Sequence, residues 1–392
     1  MSLLGSIPLT IFAFVFLISI VVVFHELGHY WAGRICGVHA EAFSMGFGPT
    51  IASWRDKRGT VWRIAAFPLG GYVKFLGDAG AASEPDAEKL DEIRRQMGPD
   101  ADKCYHFKPI WQRAFITAAG PIANFVLAIF IFSMLAMSFG GPGYQPPVVG
   151  GVVEGGAGEE AGFMEGDRVL AINGKPVETF QDIVSEVVWR PGEELRFDVE
   201  RDGQDMVLRV APRATMVEDE FGGERMMGRI GLQSQTGPME RERYGPIGAV
   251  GFGIEQTWST VSITARYVSR VVTGRVSPEL LNGPIGIAET AGQTAARSLE
   301  AGTSPADGVF LLLINLINVA GFLSVGLGLV NLLPIPILDG GHLVYYAYEA
   351  VARRPLSMKA QAIGFRVGLA LVLGMMLVAT WNDINYKLSQ IF

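Results

Sequence analysis

Cysteine, charge and histidine are all scarce in this sequence, and each scarcity narrows what the chain can be. Two cysteines among 392 residues, Cys36 and Cys104, give neither a disulfide framework nor the paired spacing of a thiolate zinc site. Both are read as ordinary thiols. Charged residues make up only 18% of the chain and hydrophobic ones 49%, with a mean hydropathy of +0.30. That is too apolar for an ordinary soluble protein of this length, so membrane spans, and a lipid bilayer around them, are expected. The formal charge of −7 leaves no basic footprint for phosphates, and no nucleic-acid partner is expected. Met1 to Ser6 carry no Lys or Arg and no small-residue cleavage site follows the first apolar run, so a cleaved signal peptide is not expected.

Of only five histidines, two fall four residues apart in His25-Glu26-Leu27-Gly28-His29, at the end of the apolar run Ile7 to Phe24. On a helix, residues four apart share a face, so His25 and His29 can present two imidazole nitrogens to one metal ion, with zinc expected. Glu26 lies close enough to act as base on a water that the metal acidifies. The bland alternative is a histidine pair capping a core helix. Ionisable groups at the end of a membrane-length segment are costly to bury, which favours the functional reading.

No charged residue occurs from Ala114 to Tyr144 or from Val309 to Leu338, which predicts second and third spans. A fourth, Val367 to Trp381, extends back to Ala360 if Arg366 snorkels. Small residues at Ala118-Ala119-Gly120 predict close helix packing, and Asn124 is either a packing hydrogen bond or part of the site, with packing preferred. Between the first two spans, Arg55-Asp56-Lys57-Arg58 reads as the turn of a hairpin whose flanks, Met45 to Pro49 and Phe67 to Lys74, are glycine-rich and too broken to span. An interfacial or re-entrant sheet is expected there. The acidic stretch Glu84 to Gln96 reads as a solvated face without chemistry.

Residues 145–213 change character to short alternating strands and turns. Asp202-Gly203 marks a hairpin and Thr179-x-x-Asp182 a capping box, opening a helix with Ile183, Val184, Val187 and Val188 on one face. Ala161 to Gly174 resembles bacterial PDZ domains. By that resemblance Val148, Val149, Gly150, Gly151 and Val152 form the strand edge that binds an extended peptide. A turn-rich connector (214–307) follows, with an amphipathic helix from Ile254 to Val272. The Arg34–Arg113 loop is net basic and the segment after the second span strongly acidic. This predicts four spans with both termini outside and the PDZ-like domain extracytosolic.

A catalytic zinc needs a third protein ligand. Asp339, an acid ending an otherwise uncharged run in Asn331-x-x-Pro334-x-Pro336-x-Leu338-Asp339-Gly340, is preferred, and His342 is the rival. Together the histidine motif, this run, the Gly46-Phe47-Gly48 segment, Gly283-Pro284-Ile285-Gly286-Ile287 and a PDZ-like domain between spans resemble the site-2 protease family, most of all its bacterial regulator of sigma-E protease branch. One departure is a single PDZ-like domain where well-known members have two in tandem. The resemblance implies a polytopic α-helical membrane protein of four transmembrane helices, with a membrane-associated β-hairpin and one inserted α+β PDZ domain, in a bacterial inner membrane. Its implied activity is zinc-dependent cleavage of a transmembrane segment, in an anti-sigma factor or a signal-peptide remnant, after a first extracytosolic cut. Asn331, Pro334, Pro336 and the 43–77 hairpin are then expected to hold the unwound substrate. A zinc transporter would use the same ligands without needing Glu26, and a PDZ scaffold would need neither.

Overall fold

Apolar composition makes the long helices of this chain, but glycine, proline and buried contacts decide where they meet and stop. The computed structural model describes residues 3–78, 90, 92, 94–95, 98–141, 145–218, 224–235, 243–273 and 283–391, so the acidic stretch at 84–96 falls almost wholly outside the described residues. Two units form, one from 1–135, 247–264 and 282–392, the other from 136–246 and 265–281. The first begins with α1 (Leu3–Ile35), β1 (Ala40–Arg55), β2 (Val61–Phe75) and α2 (Ile110–Phe139). In the second lie β3 (Val149–Val152), α3 (Ala157–Glu160), β4 (Arg168–Ile172), β5 (Lys175–Pro176), α4 (Phe180–Val187), β6 (Leu195–Arg201), β7 (Gln204–Val210), β8 (Arg213–Glu218), β9 (Glu224–Arg229) and β10 (Leu232–Ser234). The chain continues through α5 (Pro246–Val272), α6 (Pro284–Ala301), α7 (Pro305–Asn331), α8 (Asp339–Ala352) and α9 (Met358–Ile391).

Among the described residues, four helices are long and apolar enough to cross a membrane: Ile7–Ile35, Ile110–Phe139, Pro305–Asn331 and Lys359–Ile384. The third apolar run is therefore not one span to Leu338. It stops at Asn331, because Pro334 and Pro336 cannot supply helical N–H groups, and α8 starts afresh at Asp339 where a loop was expected. Between α1 and α7 sits α6, whose Ala291, Gly292, Ala295 and Ser298 are buried. It packs with Leu17, Val21, Leu316 and Ala320 in one apolar core. Asp383 of α9 accepts the Gly283 and Gly286 amides at 3.1 and 2.9 Å, capping α6 from another helix.

β1 and β2 are one hairpin bent double. The 40–45 half of β1 pairs with both 71–75 and 61–64, while its 50–55 half pairs with 61–65. Bends at Gly46, Gly48 and Gly70, all at positive φ, make this possible. The order across the sheet is thus 50–55, 61–65, 40–45, 71–75, which leaves 71–75 as an edge. The opposite end is tied to α1 through Asp56. Its carboxylate accepts the Arg58 and Thr60 amides, the Trp62 indole and the Tyr30 hydroxyl at 2.8 to 3.2 Å.

The second unit has its own core of Val149, Phe163, Val169, Ile172, Ile183, Val187, Leu195, Phe197, Val199 and Ile230. The expected capping box at Thr179 and Asp182 forms, and β6 and β7 turn at Asp202-Gly203. Two expectations need correction. The strand Val148–Val152 is not a free edge: β10 pairs along one side of β3, and on the other the Val149 amide bonds to Asp167. The unit also does not end at 213, because β8, β9 and β10 belong to it. A three-residue strand such as β10 carries too little alternation to be read from sequence. The last turns of α5 join this unit through Arg266, 2.8 Å from the buried Glu186 carboxylate, and Tyr267, packed on Trp189.

Burial opposes charge on Asp56, but its four hydrogen bonds outweigh it and hold the carboxyl below its usual range. The hairpin therefore has this support in full above the ordinary aspartate pKa and loses it as pH falls through the depressed value. Asp56→Ala leaves several donors without an acceptor, at a cost of about 1–3 kcal/mol. Limited proteolysis between residues 55 and 60 is expected to accelerate in Asp56→Ala at neutral pH while the parent stays resistant.

Candidate metal centre

Two of the candidate ligands lie on α1 and the third begins α8. His25 and His29 are one helical turn apart. Asp339 is the first residue of its helix, where exposed amides and the dipole favour a carboxylate. Asp339 Oδ2 stands 3.3 Å from His25 Nε2 and 3.5 Å from His29 Nε2, and the two nitrogens are 3.2 Å apart. The side chains are only 10%, 13% and 18% exposed.

Neighbouring groups fix which atoms face inward. His29 Nδ1 donates to the Ile116 carbonyl at 2.8 Å, so its Nε2 carries the lone pair. His25 Nδ1 meets the side-chain amide of Asn124 at 3.3 Å. With Asn124 Oδ1, a buried acceptor lacking any other partner, turned to receive the Nδ1 proton, His25 Nε2 is also a lone-pair donor. Three electron-rich atoms then converge with no proton to share, and Asp339 Oδ2 has no hydrogen-bond partner. A cation resolves that repulsion. Ligands placed tetrahedrally at zinc distances stand about 3.3–3.4 Å apart, which matches all three separations. Two nitrogens and one carboxylate oxygen are also a donor set that suits zinc.

Glycine makes the convergence possible. A Cβ at Gly120 would overlap His29 Nε2 and stand 2.8 Å from His25 Cε1, and one at Gly28 would overlap the Ala119 carbonyl. α1 and α2 therefore touch backbone to backbone beside the candidate ligands. Gly71 permits a second close approach, since its Cβ would lie 3.2 Å from Glu26 Cγ. The edge strand 71–75 thus runs past Glu26, and both line the same cavity.

A cavity of about 220 Å³ opens here. It is lined by the three ligand candidates, Glu26 and Asn331, with Tyr105, Thr117 and Tyr346 forming a hydroxyl-bearing wall. His342 also lines it but lies outside the three-residue cluster. Pro334 and Pro336 do not line it: Pro334 is exposed and Pro336 packs against Gly364 and Gly368. Val148 to Val152 lie in the other unit. Asn124, assigned to packing from sequence, is fully buried against His25. It shares its uncharged span with Thr117, Ser133 and Ser138, so polarity alone does not single it out.

Gly120→Val is expected to abolish metal retention, because its side chain takes the space of the imidazoles. Asn124→Ala is expected to weaken metal affinity about 10–100-fold by freeing the His25 ring. Metal analysis of the purified variants, with circular dichroism as the control for folding, checks both.

Residues 13–375 match peptidase family M50. The chain is 46% identical to the metalloprotease MmpA of Caulobacter vibrioides over 375 residues, which cover 94% of each chain. It is 30% identical to the zinc metalloprotease RasP of Bacillus licheniformis, across 96% of this chain and 99% of that one. A family match over most of the chain and relatives aligned along nearly their whole length, joined to a donor set that suits zinc, lead to one conclusion: the chain belongs to peptidase family M50, the site-2 protease family of zinc metalloproteases.

Proposed function

We propose that this protease cuts a peptide bond within or beside the transmembrane segment of a single-span protein, such as an anti-sigma factor or a signal-peptide remnant, after a first extracytosolic cleavage. The observation that carries the reading is the meeting of His25, His29, Asp339 and Glu26 around one cavity among membrane-length helices. His25, His29 and Asp339 hold the zinc. Bound there, zinc supplies Lewis acidity that polarises a carbonyl and acidifies water. The Glu26 carboxylate takes the proton from the attacking water and delivers it to the leaving amine. A transporter would give Glu26 no task.

A helical substrate hides its carbonyls in internal hydrogen bonds and must unwind before it is cut. The edge 71–75 has no strand partner on its outer side among the described residues and borders the catalytic cavity, so an extended segment can pair along it by strand addition. Asn331, at the same cavity, offers a side-chain amide to that backbone. In the second unit we read a PDZ-type domain that binds the substrate's freshly exposed carboxyl end. With β3 covered, β10 is the strand whose outer edge is open among the described residues. We place this domain outside the cytosol of a bacterial inner membrane, on the charge asymmetry of the loops.

Glu26→Gln is expected to keep its zinc and lose cleavage of a membrane-embedded reporter entirely, whereas His25→Ala, His29→Ala and Asp339→Ala each lose zinc. Full occupancy in Asp339→Ala with loss in His342→Ala would move the third ligand to His342. Cysteines introduced near Lys57 and Arg353 are expected to resist impermeant reagents in intact cells while one near Asp202 is labelled. Labelling at Lys57 would reverse the orientation.

A further inference from the structure

Asp339 reaches the histidines from a 14-residue helix that follows a proline-containing turn, so something beyond that turn must set where α8 points. Residues 342, 346 and 349 follow Asp339 at spacings that return to one face of the helix. That face meets α2 and the segment before it. The Tyr346 hydroxyl is 2.7 Å from that of Tyr105, which is in turn 2.9 Å from Thr117 Oγ1. One turn further, Glu349 Oε1 accepts from Arg113 Nη2 at 2.7 Å, and the Arg113 guanidinium lies 5.0 Å over the Tyr346 ring. Arg113 is itself held, donating from Nε to the Lys108 carbonyl at 3.1 Å. These groups are buried or nearly so, Arg113 and Glu349 being 15% and 18% exposed.

The α2 face that grips α8 is the face that holds the histidines. Arg113 contacts α8 directly and Thr117 reaches it through Tyr105, while Ile116, Gly120 and Asn124 contact His29 and His25. Both halves of the metal site are thereby referred to one rigid helix. We infer that Arg113, bonded to Glu349, and Tyr105, bonded to Tyr346 and backed by Thr117, form a latch that positions Asp339 as the third zinc ligand. These are positioning residues, acting on the metal only through α8. The inference rests on the reading of Asp339 as a ligand. Charge-assisted pairs this well enclosed are strong enough to hold a short helix, and a misplaced ligand weakens a metal site steeply.

The test measures zinc affinity of the full-length protein in detergent by chelator competition, alongside its thermal melting. Arg113→Glu and Glu349→Arg are each expected to weaken zinc binding about 10-fold or more, and the double swap Arg113→Glu/Glu349→Arg to restore it. Tyr346→Phe, which removes one hydroxyl and keeps the ring, is expected to weaken zinc in the same direction with little change in zinc-free melting. If the charge variants fail to fold, Tyr346→Phe decides alone. Zinc affinity at the parental value in Tyr346→Phe, or a double swap that regains melting temperature without regaining zinc, overturns the latch. Asp339→Ala is the control for the underlying reading: parental zinc affinity in that variant would sink the ligand assignment itself.

Discussion

Two imidazoles and a carboxylate can leave water among apolar helices only if they compensate one another, and the rest of this structure follows from that constraint. Each group is individually costly to bury. Together around a divalent ion they become mutually stabilising, provided that their donor atoms stand a tetrahedral edge apart. The 3.2–3.5 Å triangle of His25, His29 and Asp339 meets that condition. Meeting it requires α1 and α2 to touch at Gly28 and Gly120, requires Asn124 and Ile116 to fix the ring nitrogens, and requires α7 to break so that Asp339 can open a new helix. Features that look local, such as a glycine or a proline pair, answer to the same demand.

The same packing gives the site its access problem and part of its solution. Catalytic groups enclosed by membrane-length helices need water and an unwound substrate. The cavity wall has one polar side, with Tyr105, Thr117 and Tyr346, and another formed by a strand edge at Gly71 to Phe75. The sheet that provides this edge is fastened to the motif helix at both ends. Asp56 ties its turn to Tyr30, one residue after His29, and Gly33 accepts the Phe75 ring. The strand that we propose receives substrate is therefore fixed in place against the helix that carries Glu26.

How much of this was legible in the sequence depended on how local each signal is. The histidine pair and Glu26 show a spacing that any helix must place on one face, and the four apolar runs are long enough to announce their spans. The capping box at Thr179 and the turn at Asp202-Gly203 are equally local and form as read. What escaped depends on contacts distant in sequence. Asn124 has no pattern that separates a packing amide from one that orients His25. The pairing of β10 with β3 joins residues 232–234 to 149–152, and nothing in three residues declares it. The doubled hairpin hides because glycine bends interrupt the alternation that marks a strand. Arg113 and Glu349 lie 236 positions apart, and each alone reads as an ordinary charge at a helix end.

Absorption spectroscopy at the zinc edge tests the central claim most directly, because it counts the atoms bound to the metal without reference to activity. The account predicts two imidazole nitrogens at about 2.0–2.1 Å with the remaining ligands oxygen, and the loss of one oxygen ligand or of the metal itself in Asp339→Ala. Three imidazoles in the parent protein, or a sulfur ligand, would contradict it.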